Sequence, residues 1–204
     1  MFLTIATGDK QKLYIFNREC AIAEPNIKPK IDFMNQGKTL LLCLVIIFAN
    51  FFTVLGQTKF EVPQNVQLKE KEDYAKYESD IIDAAKWLEE TDLDKEADKR
   101  RDVNAFVIQW ISGSPTVNVE ITEQLMKIYG KNAQLMGVYL ASYAGNFLAN
   151  KGTATKQSAT KAGLISMMNV YKKGIEISKS KEMEKLIRLT DENKLDEYIA
   201  SKFK

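Results

Sequence analysis

Residues 132–150 read NAQLMGVYLASYAGNFLAN. Leu135, Val138, Tyr139, Ser142, Tyr143 and Phe147 recur at steps of three and four, the spacing of one buried helical side. Ala141, Ala144 and Gly145 are small enough to let a neighbouring helix approach closely. This is the richest helical pattern in the chain, and the stretches on both sides of it supply candidate neighbours.

Downstream, residues 151–153 form a turn, and a helix is expected over 155–173. Its apolar positions are Ala159, Ala162, Ile165, Met168 and Val170, and Gly174 ends it. Ser180 caps a short helix bearing Met183, Leu186 and Ile187. A last helix holds Leu195, Tyr198, Ile199 and Phe203. Upstream, Thr122 and Glu123 open a short helix that runs through Tyr129 and stops at Gly130. Residues 116–121 alternate Val117, Val119 and Ile121 with polar neighbours, the one strand-like stretch. It has no obvious partner strand, and an extended loop pinned to helices also fits.

Two further helices are expected earlier. Residues 70–90 carry the stripe Tyr74, Tyr77, Ile81, Ala84 and Leu88. After a turn at 91–94, with Asp92 or Asp94 as N-cap, the next stripe is Val103, Phe106, Val107, Trp110 and Ile111. Gly113 is placed for a C-cap, with Pro115 just beyond. Residues 57–69 read as an extended lead-in, because Pro63 bars an early helix interior. The sum is an all-α domain over 70–204, about seven helices arranged as antiparallel helical hairpins. An offset of 60 aligns Trp87-Leu88 with Phe147-Leu148 and Trp110-Ile111 with Val170-Tyr171. Two stacked hairpins, as in solenoid repeats, would produce that match, and so would unrelated hairpins of similar length.

A different kind of segment precedes the domain. Residues 40–49 read LLLCLVIIFA, and Phe51, Phe52, Val54 and Leu55 extend the run to Gly56. From Met34 onward come Lys38, this apolar core, and then Val54 and Gly56 at −3 and −1 of a cut before Gln57. That order is the anatomy of a secretory signal peptide over 34–56. The 33 residues ahead of Met34 lack sustained periodicity, and they read as a non-native or disordered extension, with Met34 the true start. The rival reading is a retained signal anchor, since 39–55 reaches the lower limit of a membrane span. Export implies a periplasmic, surface or secreted location.

Composition bounds the chemistry. The expected mature chain has 148 of the 204 residues, enough to bury a core. Its charge is balanced but polarised: residues 57–102 hold nine basic against fourteen acidic groups, and residues 103–204 hold fourteen against nine. No single basic field for nucleic acid results, and the two halves are expected to attract each other. The chain has no histidine, and Cys20 and Cys43 both precede the cut. Ser-His-Asp and Cys-His nucleophiles are therefore excluded, together with His- or thiolate-bound zinc and haem. Gly37-Lys38-Thr39 resembles the end of a phosphate loop, but Asp32 stands where that loop needs glycine. No cofactor or metal is expected.

The segment from Trp110 to Val119, WISGSPTVNV, is the first place to seek a binding surface, because it joins a loop, two serines and flanking aromatics. Trp110, Ser112, Ser114 and Glu120 are its candidate binding residues. Glu120, between Val119 and Ile121, would be a candidate catalytic carboxylate if its setting were apolar. An outward-facing residue on an alternating segment is the plainer reading. WISGSPTV (110–117) and GLISMMNVYKKG (163–174) resemble sequences of small exported all-helical proteins of Bacteroidota, a group with no known activity. The resemblance extends over the mature chain to Leu195-Asp196-Glu197-Tyr198, and it implies export but no chemistry. The expected function is a non-enzymatic envelope protein that binds a protein partner or envelope ligand and meets membrane only through its signal segment. A carboxylate-based glycan-cleaving enzyme is the alternative. N-terminal sequencing of the exported protein should begin at Gln57; a product that keeps residues 34–56 would establish the anchor instead.

Overall fold

The computed structural model describes residues 59–203. The extension over 1–33, the signal segment over 34–56, its cut at Gly56/Gln57 and both cysteines lie outside the described residues. Eight helices and no strand are found among the described residues: α1 (Lys71–Lys76), α2 (Glu78–Glu90), α3 (Ala97–Gly113), α4 (Glu123–Tyr129), α5 (Leu135–Ala149), α6 (Lys156–Lys173), α7 (Lys181–Asp191) and α8 (Leu195–Lys202). The protein is all-α. None of these helices is long and apolar enough to cross a membrane.

The central element is α5. Its buried residues include Leu135, Val138, Tyr139, Leu140, Ala141, Tyr143, Ala144 and Leu148, which lie all round the helix rather than on one stripe. A helix buried on every side must be surrounded. Here α6 and α2 make the most extensive contacts with it, and α3 a smaller one. α6 also contacts α7 and α8, while α4 contacts α7. Close approach is needed at three points. A Cβ on Gly145 of α5 would lie 3.2 Å from Ala85 Cβ of α2. One on Gly163 of α6 would lie 2.7 Å from the Tyr139 ring and 3.0 Å from the Tyr139 carbonyl oxygen. One on Gly137 of α5 would lie 2.1 Å from Asn104 Oδ1 of α3.

The expected helix over 70–90 is broken in two at Tyr77, whose φ of −105° and ψ of 8° leave the helical region. The cause is a distant side chain. Trp110 Nε1–H donates to the Tyr74 carbonyl oxygen at 3.0 Å, and the Tyr77 amide donates to the same oxygen at 3.2 Å. In an unbroken helix that oxygen would accept from the amide of Glu78. Tyr74 packs edge-on against Trp110, and Tyr77 against Phe106, so the short α1 is folded onto α3.

The caps divide into two groups. Thr122, Thr155 and Ser180 accept from the amides of Leu125, Ser158 and Met183; the cap at Ser180 is as expected, Thr122 stands at the expected start, and Thr155 caps a helix that was expected to include it. Gly174 closes α6 at φ 70°, the left-handed position that favours glycine. The start of α3 differs from expectation. Neither Asp92 nor Asp94 caps it; Glu96 does so in a left-handed conformation without a side-chain bond. Gly113 also differs, being the last helical residue with Ser114 as the cap. Its lack of a side chain makes room for Tyr74, whose hydroxyl would otherwise lie 1.9 Å from a Cβ.

The turn between α2 and α3 is held by a buried cation. The Arg100 guanidinium, 7% exposed, donates to the carbonyl oxygens of Leu88, Thr91 and Asp92 at 3.2, 2.6 and 3.2 Å. Lys173, at the end of α6, donates to the Glu89 and Glu90 carbonyl oxygens at 2.8 and 2.7 Å and pairs with Asp92 at 3.3 Å. The carbonyls left open by the last turn of α2 are thus met by two cations, the favourable sign for a helix C-terminus. The contacts of Lys173 and the Lys151–Glu78 ion pair are where the basic second half meets the acidic first half.

The offset of 60 is visible in the element lengths. Residues 97–113 shifted by 60 become 157–173, against Lys156–Lys173 for α6. Packing does not repeat, because α5 and α6 lie in extensive contact and α2 and α3 touch sparingly.

Gly163→Ala should lower the unfolding free energy by about 2 kcal/mol, since Tyr139 is 1% exposed and has nowhere to move. Gly145→Ala should stay within about 0.5 kcal/mol of the parent, the tighter contact being offset by better helix propensity. Denaturant unfolding of both variants checks this, and equal losses would contradict the packing described.

A candidate binding cavity beside the end of α3

The candidate residues of the 110–120 region occupy quite different environments. Trp110 is fully buried and its indole N–H is bonded to the Tyr74 carbonyl, so it belongs to the core and does not reach a surface. Ser114 Oγ accepts from the amides of Thr116 and Val117 at 3.3 and 3.1 Å, a hydroxyl-built turn that reverses the chain after α3. Ser112 is exposed, and its hydroxyl donates to the Ile108 carbonyl oxygen one turn back at 2.7 Å. Glu120 is exposed and pairs with Lys156 at 2.9 Å. The apolar setting that would favour catalysis by that carboxylate is absent: Glu120 is exposed and ion-paired, while its neighbours Val119 and Ile121 line a cavity.

Residues 116–121 form no strand. Val117 is buried at 3% exposure and anchors the segment to the core. The Tyr143 hydroxyl of α5 donates to the Asn118 carbonyl oxygen at 3.0 Å. The segment is an extended loop pinned to helices, one of the two outcomes open from its alternation.

Between this loop, the end of α3 and Leu140 of α5 lies a cavity of about 290 Å³. Its apolar lining is Ile108, Ile111, Val117, Val119, Ile121 and Leu140, and its polar lining is Ser112 and Asn118. Ile108 is 43% exposed and Ile121 50% exposed, unusual values for large aliphatic side chains beside one cavity. Of the candidates, only Ser112 lines it. Ile108 and Leu140 were not among the candidate residues. Ile108 falls off the Val103–Phe106–Val107–Trp110 stripe, and an isoleucine off its helix's buried stripe was the available signal. Among the described residues, no group of three or more acidic or other ligating side chains could hold a metal.

Burial pushes the Tyr139 hydroxyl up to about 12 and raises that of Tyr143, with the nearby Glu120 charge adding to the second shift. No protein-family model matches the chain, and neither a curated protein nor a solved structure does.

The tyrosine shifts fix the sign of an alkaline effect. The folded protein holds these protons above the ordinary value of about 10, so the unfolded chain loses them first. Stability should be fully present below pH about 10 and decline as the pH climbs toward about 12. Denaturant midpoints measured across that window check it, and Tyr139→Phe should flatten the decline.

Proposed function

We propose that the protein is an exported helical binding protein of the cell envelope, without catalytic activity, and that it seats an apolar group of its partner or ligand in the cavity beside α3. The observation that carries this reading is the pair Ile108 and Ile121, exposed on an aliphatic cavity. About half of each side chain remains in water, which forgoes roughly 0.7–1.5 kcal/mol each, half the value of full burial. A partner group that covers them recovers that free energy. The size of the cavity, at the lower end of ligand sites, suits one side chain or a short acyl group better than a whole polymer.

Binding is favoured over acid–base catalysis because none of the lining residues titrates. Of the two polar ones, the Ser112 hydroxyl donates to the Ile108 carbonyl oxygen, and Asn118 carries a neutral carboxamide that neither gives nor takes a proton. Export rests on the signal-like run over 34–56 and on the likeness to exported Bacteroidota proteins.

The test is capture from a cell-envelope extract by the immobilised mature protein, with an Ile108→Glu, Ile121→Glu double variant beside it. Both positions are exposed, so the variant should fold. Retention of the captured molecule should fall at least about tenfold, which corresponds to about 1.4 kcal/mol. Equal capture by both proteins, or digestion of peptidoglycan with nothing retained, would overturn the reading.

A further inference from the structure

A second concavity, about 420 Å³, lies where α2, α5 and α6 meet. Its apolar lining is Ile82, Ala85, Gly145, Ala149, Ala162 and Ile165. Across it runs a chain of hydrogen bonds whose direction can be worked out. Ser166 Oγ lies 2.6 Å from Glu89 Oε2, and Asn169 Nδ2 lies 2.7 Å from Glu89 Oε1. A carboxylate only accepts, so the single Ser166 proton goes to Glu89. Ser142 Oγ lies 2.8 Å from Ser166 Oγ, and since Ser166 has no proton left, Ser142 must donate its own. Ser142, which lines the groove, is left with lone pairs and no proton to offer.

The other polar groups have the same bias. Glu89 accepts one bond at each oxygen and retains capacity for more. Asn146 lines the groove one helical turn after Ser142, and its Oδ1 is buried without a donor. Two cations stand close by: Lys86, which also lines the groove, has its ammonium on Asp83 at 3.2 Å, and Lys173 is held by Asp92 and two carbonyls. Among the described residues, no lysine or arginine pairs with the Glu89 carboxylate. With the Lys86–Asp83 pair neutral as a unit, the Glu89 carboxylate is the charge left over, and beside it the groove offers the free lone pairs of Ser142 and Asn146 Oδ1 and a largely aliphatic surface.

We infer that this groove binds a primary alkylamine, its ammonium group donating to Glu89 and Ser142 and its aliphatic chain lying along Ala85, Ala149 and Ala162. An ammonium has three N–H donors and no acceptor, the complement of what the groove presents. One uncompensated carboxylate matches one cation. The contacts lie on α2, α5 and α6, away from the cavity beside α3, so this site stands or falls independently of the function proposed above.

The experiment is a nuclear magnetic resonance titration of the mature chain with n-hexylammonium, beside hexyltrimethylammonium and hexanoate. The trimethyl cation keeps charge and chain but has no N–H, and hexanoate reverses the charge. Hexylammonium should shift the amides around Ser142, Ser166 and Glu89, with at least about tenfold tighter binding than either control. Ser142→Ala should weaken it about threefold and Glu89→Gln about tenfold, with thermal melts verifying that each variant is folded. If Glu89→Gln fails to fold, Ser142→Ala and the trimethyl control still decide. Equal binding of the two cations, shifts centred elsewhere, or no shift at millimolar hexylammonium would overturn the assignment.

Discussion

The fold depends on how closely helices can approach α5. A helix with apolar surface on all sides has no stable place at the edge of a domain, and its neighbours must come near enough to exclude water. Each of the three helices that pack directly on α5 does so at a glycine. Gly145 admits α2, Gly137 admits Asn104 of α3, and Gly163 on α6 receives the Tyr139 ring. At Gly163 a Cβ would meet both the Tyr139 ring and the Tyr139 carbonyl oxygen, so the neighbouring axis would have to move and the contacts along its length would loosen together, whereas at Gly137 the Asn104 carboxamide could turn aside. The small residues therefore set the interaxial distances, and the large ones, such as Tyr139, Leu140 and Met167, fill what remains.

Once those distances are set, the polar ends of the helices need partners, and electrostatics does this second task. The C-terminus of α2 is the clearest case. Five successive carbonyls, from Leu88 to Asp92, face Arg100 or Lys173, residues from two other helices. The contacts made by Lys173 tie the acidic first half of the domain to the basic second half. Exposed ion pairs such as Lys86–Asp83 contribute little by comparison, because water screens them and their side chains lose freedom in pairing. The value of the polarised sequence lies in Lys173, a cation that the basic half delivers to the end of an acidic-half helix.

Much of this was legible in the sequence. The apolar spacing of 132–150 and the residues Thr122 and Ser180 at helix starts are local signals, and they located the matching helices; the cap at Thr155 stood one residue outside the helix expected to include it. What could not be read were effects made by residues far apart in the chain. The break at Tyr77 needs the indole of Trp110, 33 positions on. The role of Gly113 depends on Tyr74, so its position near a helix end suggested a cap when its purpose was space. Trp110 looked like a candidate binding aromatic because it adjoins a loop, whereas the folding back of α1 buries it. Ser142 was placed correctly on the buried side of its helix. Its meaning needed Ser166 and Glu89, which no spacing within one helix could supply.

The same small residues also explain why this domain has concavities at all. Ala85, Gly145, Ala149 and Ala162 bring α2, α5 and α6 together, but short side chains leave the outer seam between three cylinders unfilled. A side chain much larger than alanine at Ala85 or Gly145, both buried, would fill the groove and press on the neighbouring helix, while one at the exposed Ala149 would only fill the groove. Close packing in the interior and a groove at the surface are thus two consequences of one choice of side-chain size. The cavity beside α3 arises differently, where that helix stops and an extended segment, held by Val117 and Tyr143, cannot cover its flank as another helix would. One concavity has walls that are three packed helices; the other is walled by a loop held at few points. A ligand of the first must fit a fixed shape, while a ligand of the second can adjust the wall it meets.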